Sequence, residues 1–302
     1  MMPSPETRLA VSKSIYQQHH NDFNINQLLS SPWIAVSGGS INQTYRMDMG
    51  LKSLFVKLHQ VQYMPMFGAE SDGLRALHDS GAIRVPNVYA HAHDDCYSWL
   101  VMEYIKLGSH SSMGEKIFAQ QLANMHRYVG ESFGWFRTNT IGSTTQINTP
   151  NTDWIDFYRK QRLGYQLQLA KKNGFSSSLQ EKGERLLADL PEFFTGYEVQ
   201  PCLLHGDLWS GNHAMDTHGA PVIFDPAVYY GDREADIAMT ELFGGLSSDF
   251  YAAYDEAYPL DVGYQVRKPL YNLYHILNHA NLFAGSYVRQ AESMMDQLLA
   301  KQ

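Results

Sequence analysis

Residues 202–232, CLLHGDLWSGNHAMDTHGAPVIFDPAVYYGD, break a long helical pattern with a stretch that cannot continue it. Two short apolar runs, Cys202 to Leu204 and Val222 to Phe224, each give way to a loop rich in Gly, Asp or Pro. Around this island, apolar positions recur at helical spacing over roughly 114–130, 151–173, 178–190, 233–257 and 266–300. The second part of the chain is therefore expected to be mostly helical, with one irregular, oxygen-rich insertion.

The first hundred residues read differently. Leu9, Ile15, Ile25, Leu28 and Leu29 fall at helical spacing and predict one or two opening helices, closed by Pro32. WIAVSGGSINQTYRMDM and LKSLFVKLHQ then read as strand, Gly turn, strand, turn at Gly50 and strand, with Val56 and Leu58 flanking Lys57. FGAESDGLRALHDSG predicts a helix with Leu74 and Leu77 on one face and Gly81 as its stop. Two further strands follow in VPNVYAHAHDDCYSWLVMEYI. The expected fold class is α+β and bilobal. A small β-rich N-terminal lobe covers 1–104, a larger, mainly helical C-terminal lobe covers 105–302, and a hinge lies near 104–106.

Composition narrows the possible partners. There are 23 Lys and Arg against 31 Asp and Glu, a formal net charge of −8, which argues against nucleic acid as a ligand. Two cysteines, Cys96 and Cys202, are too few for a disulfide framework or a thiolate metal cage. The opening MMPSPETRLA has no signal-peptide character, and no run approaches the ~18 apolar residues of a membrane span. A cytoplasmic protein without a membrane partner is expected, as a monomer or a homodimer.

The island carries the chemistry. Asn212 lies five positions after Asp207, and Asp225 thirteen after Asn212. Transfer of a phosphoryl group from a nucleotide uses such a set: one Asp to accept or orient the proton of the attacking hydroxyl, and an Asn and a second Asp to hold Mg²⁺. Mg²⁺ takes hard oxygen ligands, so carboxylate and amide oxygens suit it where His, Cys or Lys would not. Taken singly, each Asp is also an ordinary turn residue.

HGDLWSGN and FDPAVYYGDREADIAM resemble the catalytic and metal-binding loops of the fructosamine kinase (ketosamine kinase) family. This branch of the protein-kinase-like fold is related to aminoglycoside phosphotransferases and choline kinases. VSGGSIN, FVK, ESDGLRAL, LVMEYI, FGWFRTNTIGSTTQ, TDWIDFYRKQRL and YNLYHILNHANLF resemble family segments in the same order, from about residue 33 onward. The middle segment with Trp154 and Arg162 is the most specific part.

The resemblance implies ATP and Mg²⁺ as cofactors, Asp207 as catalytic base, and Asn212 and Asp225 as metal ligands. It implies Lys57 as the lysine that reaches the α- and β-phosphates, with Glu70 as its ion-pair partner. Asp225-Pro226-Ala227 stands where protein kinases have Asp-Phe-Gly. Ser37-Gly38-Gly39-Ser40 occupies the place of the nucleotide-covering loop, where glycines let backbone N–H groups approach phosphate, although Gly-Gly is also a common hairpin turn. No cysteine stands in that loop, so the disulfide-linked dimer of some relatives is not expected. Glu103 and Ile105 fall at the lobe junction, where backbone groups would pair with adenine. Trp209 resembles an aromatic wall for a sugar.

The implied reaction is phosphorylation of the 3-hydroxyl of a ketosamine, small or protein-linked, in a deglycation and repair role. The alternatives are another hydroxyl acceptor (aminoglycoside, choline or homoserine) and a nucleotide-binding pseudokinase without turnover. Among the remaining features, Asp236 is read either as a brace for the catalytic loop or as a helix-start acid. His205 is expected to brace the loop. His91, His93, Asp94 and Asp95 are expected to form a turn and not a metal site, and Tyr271, Tyr274, Phe283 and Tyr287 to be core.

Overall fold

The computed structural model describes residues 2–36, 42–50 and 52–300. The chain opens with α1 (Pro5–Gln18), whose first turn is capped by the Ser4 hydroxyl accepting from the Thr7 N–H, and α2 (Ile25–Ser30), capped by Asn24. A five-stranded antiparallel sheet follows, built from β1 (Trp33–Ala35), β2 (Gln43–Asp48), β3 (Ser53–Gln60), β4 (Val88–His93) and β5 (Tyr97–Glu103). Its order is β1-β2-β3-β5-β4, with α3 (Met64–Asp79) between β3 and β4.

The period-two alternation of β3 sorts its two faces. Leu54, Val56 and Leu58 are buried under α1 and α2 with Val11, Ile15, Phe23, Leu28 and Trp99. The intervening Lys57, in register with Thr44 on β2 and Leu100 on β5, turns to the opposite face, toward α3. Leu9 and Leu29 are exposed, and Val11 takes the core place that the helical spacing gave to Leu9.

After Glu103 the chain becomes largely helical: α4 (Ser112–His126), α5 (Trp154–Tyr158), α6 (Gly164–Lys172), α7 (Ser177–Asp189), α8 (Glu234–Leu242), α9 (Ser248–Ala257), α10 (Tyr264–Phe283) and α11 (Ser286–Leu299). Three antiparallel ribbons are set among them. One pairs β6 (Asn139–Ile141) with β7 (Thr144–Gln146), another β8 (Cys202–Leu204) with β11 (Tyr229–Gly231), and the third β9 (His213–Met215) with β10 (Pro221–Ile223).

Two expected long helices are each divided. Gly244 and Gly245 adopt positive φ and separate α8 from α9, while Ala284 and Gly285 do the same between α10 and α11. Helical periodicity ran through both breaks because the residues on either side keep an inward apolar face. The β6–β7 ribbon was not foreseen, since strands of three residues carry too little alternation to read. Of the four tail aromatics, Tyr271 and Tyr274 are core, whereas Phe283 is exposed. Asp94 caps the β4–β5 turn by accepting from the N–H groups of Cys96 and Tyr97. Among the described residues no helix is long and apolar enough to cross a membrane.

Candidate active site

The two ribbons of the island place its polar residues. The loop 205–212 runs from β8 to β9, and Asp225 follows β10. Backbone bonds stitch the loops together: the Phe224 N–H donates to the Asn212 carbonyl at 3.0 Å, and the Ala227 N–H to the His205 carbonyl at 2.8 Å. Gly206 has φ of 82°, and a side chain there would strike the Ala227 carbonyl, so only glycine allows this approach. Asp225 itself adopts φ of 56°, a conformation unusual for a residue with a side chain.

Lys57, only 5% exposed, donates to Glu70 at 2.6 Å and to Asp225, so strand, helix and island loop meet at one ammonium. Burial works against that charge, but the Asp225 and Glu70 carboxylates outweigh it and hold the Lys57 pKa above the ordinary range. On the other side, the Asn212 amide nitrogen donates to the Asp207 carbonyl at 2.8 Å and to its carboxylate at 3.1 Å. Burial and then the Asp225 charge push Asp207 up to about 7, against the opposing pull of the Asn212 hydrogen bond.

These residues fit a hard cation. Asn212 spends its NH₂ on Asp207, and no hydrogen bond reaches its Oδ1 among the described residues. That oxygen and the Asp225 carboxylate form an oxygen-only donor pair. No group of three or more His, Cys, Asp or Glu side chains among the described residues is arranged to hold a metal, so a cation here would take water or ligand oxygens for the rest of its shell.

Asp236, at the start of α8, accepts from the His205 N–H at 2.7 Å and the Gly206 N–H at 2.8 Å. It therefore braces the loop, the first of its two readings. His126 was not singled out, because only the folded chain brings α4 to this point. Its Nε2 lies 3.2 Å from Asp236 and its Nδ1 2.7 Å from the Tyr254 hydroxyl. Burial lowers the His126 pKa, and a neutral ring donating to Asp236 while accepting from Tyr254 satisfies both contacts. His205 is also a brace, its Nε2 lying 2.9 Å from the Phe224 carbonyl.

Two cavities meet at this cluster. One, of about 480 Å³, is lined by Val36, Phe55, Met102, Glu103, Ile105 and Phe224 among others. The second, of about 470 Å³, is lined by Asp207, Trp209, Asn139, Thr140, Gly142 and Met66 among others. Asn42, Lys57, Gly211 and Asp225 line both. Glu103 and Ile105 thus sit in the first cavity, with the Glu103 carboxylate tied to Arg84 at 2.6 Å, while Trp209 sits in the second, edge-on to Phe243. Gly38, Gly39 and Ser40 lie outside the described residues. Thr140 and Gly142 were missed with their ribbon.

A five-stranded antiparallel sheet with α1 and α2 on one face and α3 on the other, joined to a helical part that presents Asp, Asn and Asp on the loops of short ribbons, defines the protein-kinase-like fold. At 13% identity an ADP-bound aminoglycoside phosphotransferase superposes with a TM-score of 0.62 over 94% of this chain and 98% of its own. The fructosamine kinase family model matches residues 8–301, and the chain belongs to that family: it is an ATP-dependent kinase. A provisionally named ketoamine kinase of Synechocystis sp. is 44% identical over 301 residues, covering 98% of each chain. A chloroplastic protein-ribulosamine 3-kinase of Oryza sativa subsp. indica is 43% identical over 270 residues, 88% of this chain and 78% of its own. A provisionally named fructosamine-3-kinase of Haemophilus somnus has a TM-score of 0.86 at 28% identity, covering 96% of each chain.

Proposed function

We propose that the protein transfers the γ-phosphoryl group of ATP to the 3-hydroxyl of a ketosamine, such as fructosamine or ribulosamine on a lysine amine, and so serves deglycation. The observation that carries the reading is the meeting of two cavities at Lys57 and Asp225, with Asp207 and Trp209 lining only one of them. The nucleotide belongs in the cavity with Glu103 and Ile105, whose backbone would take the adenine edge, and the sequence resemblance assigns its phosphate contacts to Gly38, Gly39 and Ser40. The acceptor belongs beside Asp207, with a sugar face against the Trp209 indole. Residues 1–104 then act as the nucleotide lobe and 105–302 as the catalytic and acceptor lobe.

In the reaction, the 3-oxygen forms a bond to the γ-phosphorus while the bond to the β–γ bridging oxygen breaks and ADP leaves. Asp207 accepts the hydroxyl proton, for which its carboxylate must be ionised. Lys57, oriented by Glu70, holds the phosphates. Asn212 and Asp225 would hold Mg²⁺, which when bound supplies neutralisation of charge on the phosphates. Most of the rate comes from positioning and fixed charge. The phosphorylated product is expected to fall apart and free the amine. Two free cysteines, one exposed and one buried, suit a reducing, cytoplasmic setting.

An ATP-consumption screen tests the reading. Fructose-, ribulose- and erythrulose-lysine are offered beside aminoglycosides, choline and homoserine. Turnover of a ketosamine is expected, and turnover of an aminoglycoside but of no ketosamine would overturn the substrate assignment.

A further inference from the structure

Arg162 is fully buried in the five-residue π turn Arg159–Leu163 that joins α5 to α6. Its guanidinium donates to the carbonyls of Ile147 at 2.6 Å and Gln161 at 3.0 Å and to Oδ1 of Asn148 at 2.7 Å, with no carboxylate among these partners. The rings of Tyr229 and Phe157 lie 4.0 and 4.6 Å from it. A buried charge held this way needs a reason beyond stability.

That reason lies in where the next hydrogen bonds lead. Asn148 Nδ2 donates to Oδ1 of Asn139 at 2.8 Å, and Asn139 Nδ2 donates to the Val228 carbonyl at 2.8 Å. Gln146 Nε2 donates both to Asn139 Oδ1 and to the Ala227 carbonyl, each at 2.9 Å, while Tyr274 donates to Gln146 Oε1 at 2.8 Å. A guanidinium can only donate and a peptide carbonyl can only accept. With Arg162 and the Arg137 carbonyl, which accepts from Asn148 Nδ2 at 3.1 Å, at one end and Ala227 and Val228 at the other, every amide between them has one permitted orientation.

We infer that Arg162 is a positioning residue whose charge orients this amide relay, and that the relay holds the Asp225-Pro226-Ala227 loop with Asp225 in its left-handed conformation. Conformations of that kind persist where the surroundings over-determine them. The relay also reaches the wall of the acceptor cavity, since Asn139 lines it. The inference rests on the role proposed for Asp225.

Asn148→Asp separates positioning from mere packing. The new carboxylate keeps an oxygen toward Arg162 and gives it a counter-charge, but sets a second oxygen against Oδ1 of Asn139. If Asn139 and Gln146 then flip, oxygens face the carbonyls of Val228 and Ala227. The variant is expected to unfold cooperatively at a temperature lowered by several degrees and, assayed well below it, to show kcat lowered about tenfold or more. Calorimetry of ADP binding with and without Mg²⁺ should show the metal-dependent gain in affinity reduced about tenfold, with metal-free binding unchanged.

Gln146→Leu leaves the Arg162–Asn148 contact in place, removes the donor to Ala227, and should give the same signature. It decides the matter if Asn148→Asp does not fold. Arg162→Lys, which keeps a donor, should retain more activity than Arg162→Met. Wild-type kcat and an undiminished metal-dependent gain in folded Asn148→Asp or Gln146→Leu would overturn the inference. Asp225→Ala separates the two levels. If it retains turnover, the metal-loop reading itself fails. If it is inactive while the relay variants behave as wild type, only the relay is wrong.

Discussion

Replacing Asp236 by Asn probes the brace on the 205–212 loop, the loop proposed to carry the catalytic base. In the wild type, Oδ2 accepts from the His205 N–H at 2.7 Å and lies 3.2 Å from His126 Nε2, and Oδ1 accepts from the Gly206 N–H at 2.8 Å. Asparagine can present oxygen on only one side. Its least costly orientation keeps oxygen toward His205 and His126 and turns NH₂ against the Gly206 N–H. A buried donor left unsatisfied costs about 1–3 kcal/mol, and each retained bond loses about 1 kcal/mol of charge assistance. Easier burial of a neutral side chain offsets part of this, leaving a net loss of about 2–4 kcal/mol. At about 2 °C per kcal/mol for a chain of this size, Tm should fall by about 4–8 °C.

The pH dependence of that loss follows from linkage. Burial opposes ionisation of Asp236, but the His126 and backbone contacts outweigh it and hold its pKa below the ordinary carboxylate range. A lowered carboxylate pKa contributes stability above the unfolded pKa that is lost only as pH falls through the folded one. The gap between wild type and variant should therefore be constant through neutral pH and close only in acid. Thermal unfolding by circular dichroism reads the gap. Steady-state assays should show kcat reduced about tenfold, because the Asp207 backbone follows directly on the disturbed Gly206 N–H. A Tm and a kcat both indistinguishable from wild type would refute the reasoning.

Further outcomes follow from the same geometry. Lys57→Met removes the cation between Glu70 and Asp225, so kcat/KM for ATP should fall about 100-fold. An unchanged value would remove Lys57 from the nucleotide site. Because Asp207 must be ionised, activity should be lost as pH falls through its pKa. Burial and Asp225 set that pKa at about 7. Mg²⁺ on Asp225 would offset the second cause, so the acid limb measured with saturating Mg²⁺ and ATP should lie below pH 7. A limb above 7 would contradict the assignment. Trp209→Ala should raise KM for a ketosamine about tenfold with little change in kcat. An unaltered KM would show that the indole does not hold the sugar.

What the sequence discloses depends on how local the determinant is. Asp207, Asn212 and Asp225 are legible as a candidate set because two carboxylates and an amide, the residue types proposed here for phosphoryl transfer, stand close together in one irregular segment. Lys57 is legible because period-two alternation on β3 sets a charged residue between two buried ones. Asp236 had two readings, and only the positions of the His205 and Gly206 N–H groups separate them. The Arg162 relay is illegible in principle. Its members come from residues 139–148, 162, 227–228 and 274, and no local pattern says that these segments meet. The divided helices at Gly244–Gly245 and Ala284–Gly285 show a related limit, since breaks as short as residues 243–247 and 284–285 leave an apolar face on both sides.

The central proposal is that Asp207 activates the 3-hydroxyl of a ketosamine. The most direct measurement is ³¹P and ¹³C NMR of the product formed from ribulose-lysine and ATP by wild type and by Asp207→Asn, with ADP binding measured on both. We expect a single phosphomonoester on the 3-oxygen from the wild type. The variant should bind ADP as well and form product about 10²–10⁴-fold more slowly. A phosphate on a different hydroxyl, or product from Asp207→Asn at the wild-type rate, would contradict the proposal.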